Sequence, residues 1–241
     1  MTLARRALAL PVALLLAGFA LAGCATPVAG GPSPSAGGGD DTEVEFDAAW
    51  LDGGRTIGLV TQGSSTCIPV VDEATLEADG TLAVTLVEPE ADTQCTMDFV
   101  PRVTLVGVPE GVDPSEDLVI SLTGDGYAAS ADLEGVDGLP GGAETDYLPS
   151  AGWTDTDGQF VLLTWGSSSC VPVIADVAAS APAEVTVTFE TPPADQVCTM
   201  DMGPRATVVF VEGLEEDSDV SLVLTGSPEF DDVRIPIYGS N

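Results

Sequence analysis

Two strings hold the densest set of reactive residue types in the chain, "GSSTC" at 63–67 and "GSSSC" at 166–170. Serines beside a cysteine raise two chemistries: acyl transfer through an activated hydroxyl, and sulfur chemistry. A serine nucleophile needs a base beside it, and the chain contains neither histidine nor lysine. Histidine triads and Ser–Lys dyads are therefore excluded, and neither string fits G-x-S-x-G. No catalytic residue is assigned, and the chain reads as a non-enzyme. The serines are expected in a turn, where their hydroxyls satisfy backbone groups.

The sulfur chemistry is bridge formation. Each string is followed 28 residues later by a second cysteine, so the spacing predicts Cys67–Cys95 and Cys170–Cys198 bonds, one inside each half of the chain. Thiolate ligation of a metal is disfavoured, because there is no C-x-x-C pair and no histidine to complete a tetrahedral site. No cofactor or metal is expected. After the second cysteine come "CTMDFVPR" and "CTMDMGPR", which place Asp98 four residues before Arg102 and Asp201 four before Arg205. Two structural ion pairs are the expectation, Asp98 with Arg102 and Asp201 with Arg205. The alternative is that each arginine clamps a ligand carboxylate or phosphate. Met97, Met200 and Met202 are expected to fill the core.

Acid-rich strings at 113–117 and 212–219 occupy the same loop of each half. Their oxygen ligands would suit Ca²⁺, which makes a divalent-cation module the alternative function, although neither string matches an EF-hand loop. A carboxylate-dependent hydrolase is a second alternative, weakened by the few aromatic residues available to stack on a sugar. A solvated, self-repelling face explains the acids more simply.

The elements that must carry these residues are strands. Short apolar runs alternate with period two, as in "TLAVTLV" (81–87) and "EVTVTFE" (184–190), and "EADGT" (77–81) reads as a hairpin turn. The chain also repeats itself. At a constant offset of 103 residues, from Trp50/Trp153 through Val108/Val211, 25 of 59 positions are identical. The reading is all-β: two tandem homologous antiparallel β-sandwich domains, each with one internal disulfide, over 44–132 and 146–241, joined by a linker at 133–145. The cysteine spacing is too close for the inter-sheet bridge of an antibody domain.

The chain opens with Arg5 and Arg6 ahead of an apolar run that ends in Leu21, Ala22, Gly23 and Cys24. This is secretory-signal grammar closed by a lipobox. The chain resembles lipobox-bearing bacterial lipoproteins of actinobacteria. The resemblance implies a signal peptide over 1–23, cleavage before Cys24 and a fatty acyl chain such as palmitate on that cysteine. It also implies a protein on the extracytoplasmic face of the cell membrane, held by its lipid. Residues 24–43, rich in Gly, Pro and Ser, read as a flexible tether.

Charge bounds the partners. There are 39 Asp and Glu against 6 Arg, a formal net charge of −33. Nucleic acid is excluded, since phosphate binding needs clustered cations. The expected partners are the membrane, through the anchor, and an envelope protein or glycan, so the function reads as a non-enzymatic binding or scaffolding module.

Overall fold

A computed structural model describes residues 44–215 and 218–241. The signal peptide, Cys24 and the tether lie outside the described residues, as do Glu216 and Asp217 of the second acidic string. Among the described residues the chain is all-β, with no helix long and apolar enough to cross a membrane.

Each repeat supplies seven strands. Repeat 1 runs β1 (Asp47–Leu51), β2 (Thr56–Gly63), β3 (Val70–Leu76), β4 (Leu82–Val87), β5 (Val100–Gly107), β6 (Leu118–Gly124) and β7 (Tyr127–Leu133). Repeat 2 follows with β8 (Ser150–Trp153), β9 (Gln159–Gly166), β10 (Ile174–Ala181), β11 (Glu184–Phe189), β12 (Gly203–Phe210), β13 (Ser221–Thr225) and β14 (Val233–Tyr238). The string at 77–81 closes the β3–β4 hairpin as its sequence requires. Gly80 takes a positive φ of 92°, and the Asp79 carboxylate accepts from the Thr81 N–H at 3.0 Å.

Repeat 1 forms a three-stranded sheet in the order β1-β2-β5 and a four-stranded sheet in the order β3-β4-β6-β7. Repeat 2 reproduces both orders as β8-β9-β12 and β10-β11-β13-β14. Here the two groups join in one seven-stranded sheet, through a short β14–β8 ladder at Ile237/Ala151 and Tyr238/Gly152. The sheets are mixed rather than purely antiparallel: β4–β6, β11–β13 and β14–β8 are parallel pairs. The reason is connectivity. The chain leaves β4 for β5 in the other sheet and returns to β6 beside β4 in the same direction, a crossover that forces parallel pairing.

Side-chain alternation decides where the cores lie. From β1 and β2, Trp50, Ile57 and Leu59 meet Leu82, Val84, Leu86, Ile120 and Leu122 of the four-stranded sheet. The intervening Ala49, Leu51 and Val60, with Val103, face the other way and meet Val161 and Leu163 of repeat 2. In repeat 2, Phe160 and Leu162 point into that repeat's own core beside Val185, Val187 and Leu222. Strands β2 and β9 are thus buried on both faces, which is why "GLV" and "FVLLTW" read as continuous apolar runs. The join is tight. A methyl on Gly58 would lie 3.0 Å from Leu51 and 3.2 Å from Val161, and one on Gly152 would lie 2.2 Å from the Trp50 carbonyl oxygen.

The segment between β7 and β8 is bonded back onto repeat 1. The Val136 N–H donates to the Pro114 carbonyl at 2.7 Å, and the Gly141 N–H donates to Gly53 at 2.9 Å. The Thr145 hydroxyl donates to the buried Asp52 carboxylate at 2.9 Å. Burial raises the Asp52 pKa, and the Thr145 hydrogen bond and the nearby Arg55 partly offset it.

Candidate functional site

The repeated motifs assemble at the end of β2 and the start of β5, and again at β9 and β12. Both predicted disulfides are present, Cys67–Cys95 and Cys170–Cys198, with Cα–Cα separations of 5.5 and 5.6 Å. In each repeat the G-S-S-x-C turn is tied to the C-T-M-D loop by the same hydrogen bonds. The Thr96 hydroxyl donates to the Asp98 carboxylate, which also accepts the Ser65 N–H at 3.2 Å. A hydroxyl has one proton. Thr96 has given its own away, so in the 2.8 Å contact with Ser64 it is Ser64 that donates. Thr199, Asp201, Ser168 and Ser167 repeat this chain, again with 2.8 Å between the Ser167 and Thr199 hydroxyls. Hydrogen bonding lowers the pKa of both the Asp98 and the Asp201 carboxylates to about 2, the side chain of Ser65 or Ser168 acting most strongly, the Thr96 or Thr199 hydroxyl next, and the serine backbone N–H less. The motif serines are therefore parts of a cross-braced turn.

The structure corrects the expected ion pairs. Neither Asp98 nor Asp201 meets the arginine four residues on. Arg102 pairs with Glu88 at 2.6 Å and donates to the Tyr127 hydroxyl at 2.8 Å, while its other nitrogens reach Thr61 and the Cys67 carbonyl. Arg205 pairs with Glu229 and donates to the carbonyls of Cys170 at 3.2 Å and Trp165 at 2.7 Å. The cause is geometric. Asp98 and Asp201 sit in exposed loops spent on turn donors, whereas Arg102 and Arg205 are strand residues turned inward and buried. Each guanidinium lies over the first residue of the motif. A methyl on Gly63 would come within 2.5 Å of Arg102, and one on Gly166 within 2.7 Å of Arg205. The glycine of G-S-S is a space requirement.

A second correction concerns the methionines. Met97 and Met200 are fully exposed and Met202 is largely so, together with Phe99 and Val197. Their loops, 88–99 and 190–202, contain no strand, so no sheet face covers them. Ile68, Val70, Val171 and Val173, on the segments following the first cysteines, are exposed as well. Each braced loop thus displays apolar side chains.

Sequence reasoning missed Glu88, Tyr127 and Glu229. Offset matching hid the first, because Thr191 stands where Glu88 would recur; Glu229 comes from the β13–β14 connection, which is longer than its counterpart in repeat 1. A cavity of about 390 Å³ opens beside Arg205, between Val171, Val173, Pro192, Pro193 and Pro228. In the first acidic string the Asp113 carboxylate accepts from Ser115, and that of Asp117 accepts the Gly135 N–H at 3.0 Å.

No family model matches the sequence, and no curated protein or solved structure matches it significantly.

Proposed function

We propose that the protein is a lipid-anchored, non-enzymatic binding module on the extracytoplasmic face of the cell membrane. In this reading its two repeats are tandem β-sandwiches, and Cys24 carries the acyl chain. The observation that carries the reading is the pair of braced loops. Each is held by a disulfide, a hydroxyl–carboxylate chain and a buried arginine, and each displays exposed apolar residues, Met97 and Phe99 in one, Met200 and Met202 in the other. Rigid loops that present apolar side chains lower the ordering cost of association and supply the contacts that dominate it. The separate apolar cluster inside each repeat supports the two-sandwich description.

Photo-crosslinking on intact cells tests the reading. Probes at Met97 and Met200 should capture a discrete envelope component, and a probe at Asp72, on the exposed edge strand β3, should not. Equal capture at all three positions would end the assignment of the loops. Incorporation of an alkynyl palmitate, lost in Cys24→Ala, tests the anchor; labelling that survives the substitution would refute it.

A further inference from the structure

The cavity beside Arg205 has a charge pattern that specifies an occupant. Three ionic side chains line it: Arg205, Glu229 and Glu190. Arg205 and Glu229 neutralise one another in a direct ion pair, and the guanidinium is already bonded to the carbonyls of Cys170 and Trp165. Glu190 is different. Its backbone N–H donates to Val173 at 2.8 Å, which fixes it on the cavity wall, yet its carboxylate makes no ion pair or hydrogen bond among the described residues. The cavity therefore has one uncompensated negative charge above apolar walls of Val171, Val173, Pro192, Pro193 and Pro228.

Arg205 alone would suggest an anionic ligand. Two facts oppose that: its charge is already met by Glu229, and the whole chain has a formal charge of −33, whose field repels anions and concentrates cations. Valine and proline walls suit an alkyl stem, with a polar head left at the rim. The volume, about 390 Å³, accepts a side chain or two and not a folded domain. The walls are also preformed, since two prolines fix the backbone at 192–193 and Cys198 ties the loop to Cys170. Repeat 1 lacks the feature: Val87 stands at the position of Glu190, and Glu88 is consumed by Arg102.

We propose that this cavity receives a lysine side chain from a partner segment, its methylenes against the valine and proline walls and its ammonium on Glu190. The proposal deepens the binding-module reading by naming the chemistry that repeat 2 recognises.

Three pentapeptides, identical except for lysine, norleucine or glutamate at the centre, are titrated into the unacylated Cys24→Ala protein and followed by amide NMR. The lysine peptide should shift the signals of Val171, Val173 and Glu190 and bind about tenfold more tightly than norleucine. Glu190→Gln should weaken it about three- to fivefold. Glu73→Gln, on the exposed edge strand β3, should change it less than twofold. Equal losses from both substitutions would reduce the effect to the diffuse field of the chain and overturn the site. Tighter binding of the glutamate peptide would make Arg205 the recognition group and overturn the proposal. Spermidine binding as tightly as the lysine peptide would replace a protein partner with a free polyamine and do the same. If all three peptides fail while crosslinking at Met97 and Met200 persists, the cavity proposal falls and the binding-module reading stands.

Discussion

The environments of Arg102 and Arg205 are built to one plan and completed differently. Both guanidiniums lie over a glycine, both bond the carbonyl of the first bridged cysteine, and both need an acid. In repeat 1 the acid is Glu88 at the end of β4, with the Tyr127 hydroxyl bridging it to the arginine. In repeat 2 it is Glu229, from the middle of the β13–β14 connection. The lesson is that burial dictates the charge requirement and not its source: an unpaired guanidinium in a protein interior is costly enough that some carboxylate must reach it. The source then sets what is left over. Because Glu229 answers Arg205, Glu190 is left without an ion pair among the described residues.

The largest test of this comparison is to remove the sulfur links one at a time. Each closes a loop of about 29 residues and should contribute about 3.5 kcal/mol on the chain-entropy account. Urea unfolding of Cys67→Ala/Cys95→Ala should show the larger loss, because Cys67 is buried whereas Cys170 is half-exposed. Equal losses would mean that loop closure alone matters. Next come Arg102→Met and Arg205→Met, expected to cost about 2–3 kcal/mol and about 2 kcal/mol, since Glu229 is more exposed than Glu88 and retains more of its hydration when orphaned. The reverse order would break the comparison.

Smaller effects sharpen it. Gly63→Ala and Gly166→Ala should each cost roughly 1–2 kcal/mol by driving a methyl into the guanidinium, with Gly166 the more sensitive because its φ of +154° adds backbone strain that Gly63 does not carry. Tyr127→Phe should cost about 1–2 kcal/mol, because its hydroxyl both accepts from Arg102 and donates to Glu88. The finest test is acid titration. The folded Asp98 and Asp201 carboxylates titrate near 2, below the ordinary 3.8, so their stabilising effect is complete above about pH 4 and is lost as pH falls towards 2. Asp98→Asn and Asp201→Asn should each flatten the stability profile in that window. A profile unchanged by either would show that the turn donors do not favour the charged form.

Much of this was legible in the residues. Period-two alternation located the strands, the repeat located the duplicated sheets, and equal cysteine spacing located both bridges. What was not legible depends on distance along the chain. Asp98 and Arg102 are neighbours in sequence, but a loop position and an inward strand position face different media, so proximity misled. Glu229 reaches Arg205 only through a connection that alignment by offset leaves out of register. The methionines misled for a related reason: their apolar character suggests burial, but a strandless loop pinned to the serine turn by sulfur and hydroxyl bonds has no sheet to fold under.

The double-sided burial of β2 and β9 bears on how the chain is made. Synthesis delivers repeat 1 first, with Leu51, Val60 and Val103 bare until Val161 and Leu163 arrive to cover them. For that interval the nascent molecule has a sticky flank whose correct mate is still being translated. A second copy whose repeats have not yet docked offers the same mate, so synthesis at high local concentration favours exchanged dimers. Rapid delivery of the second half, or a holdase that shields the first, protects the monomer.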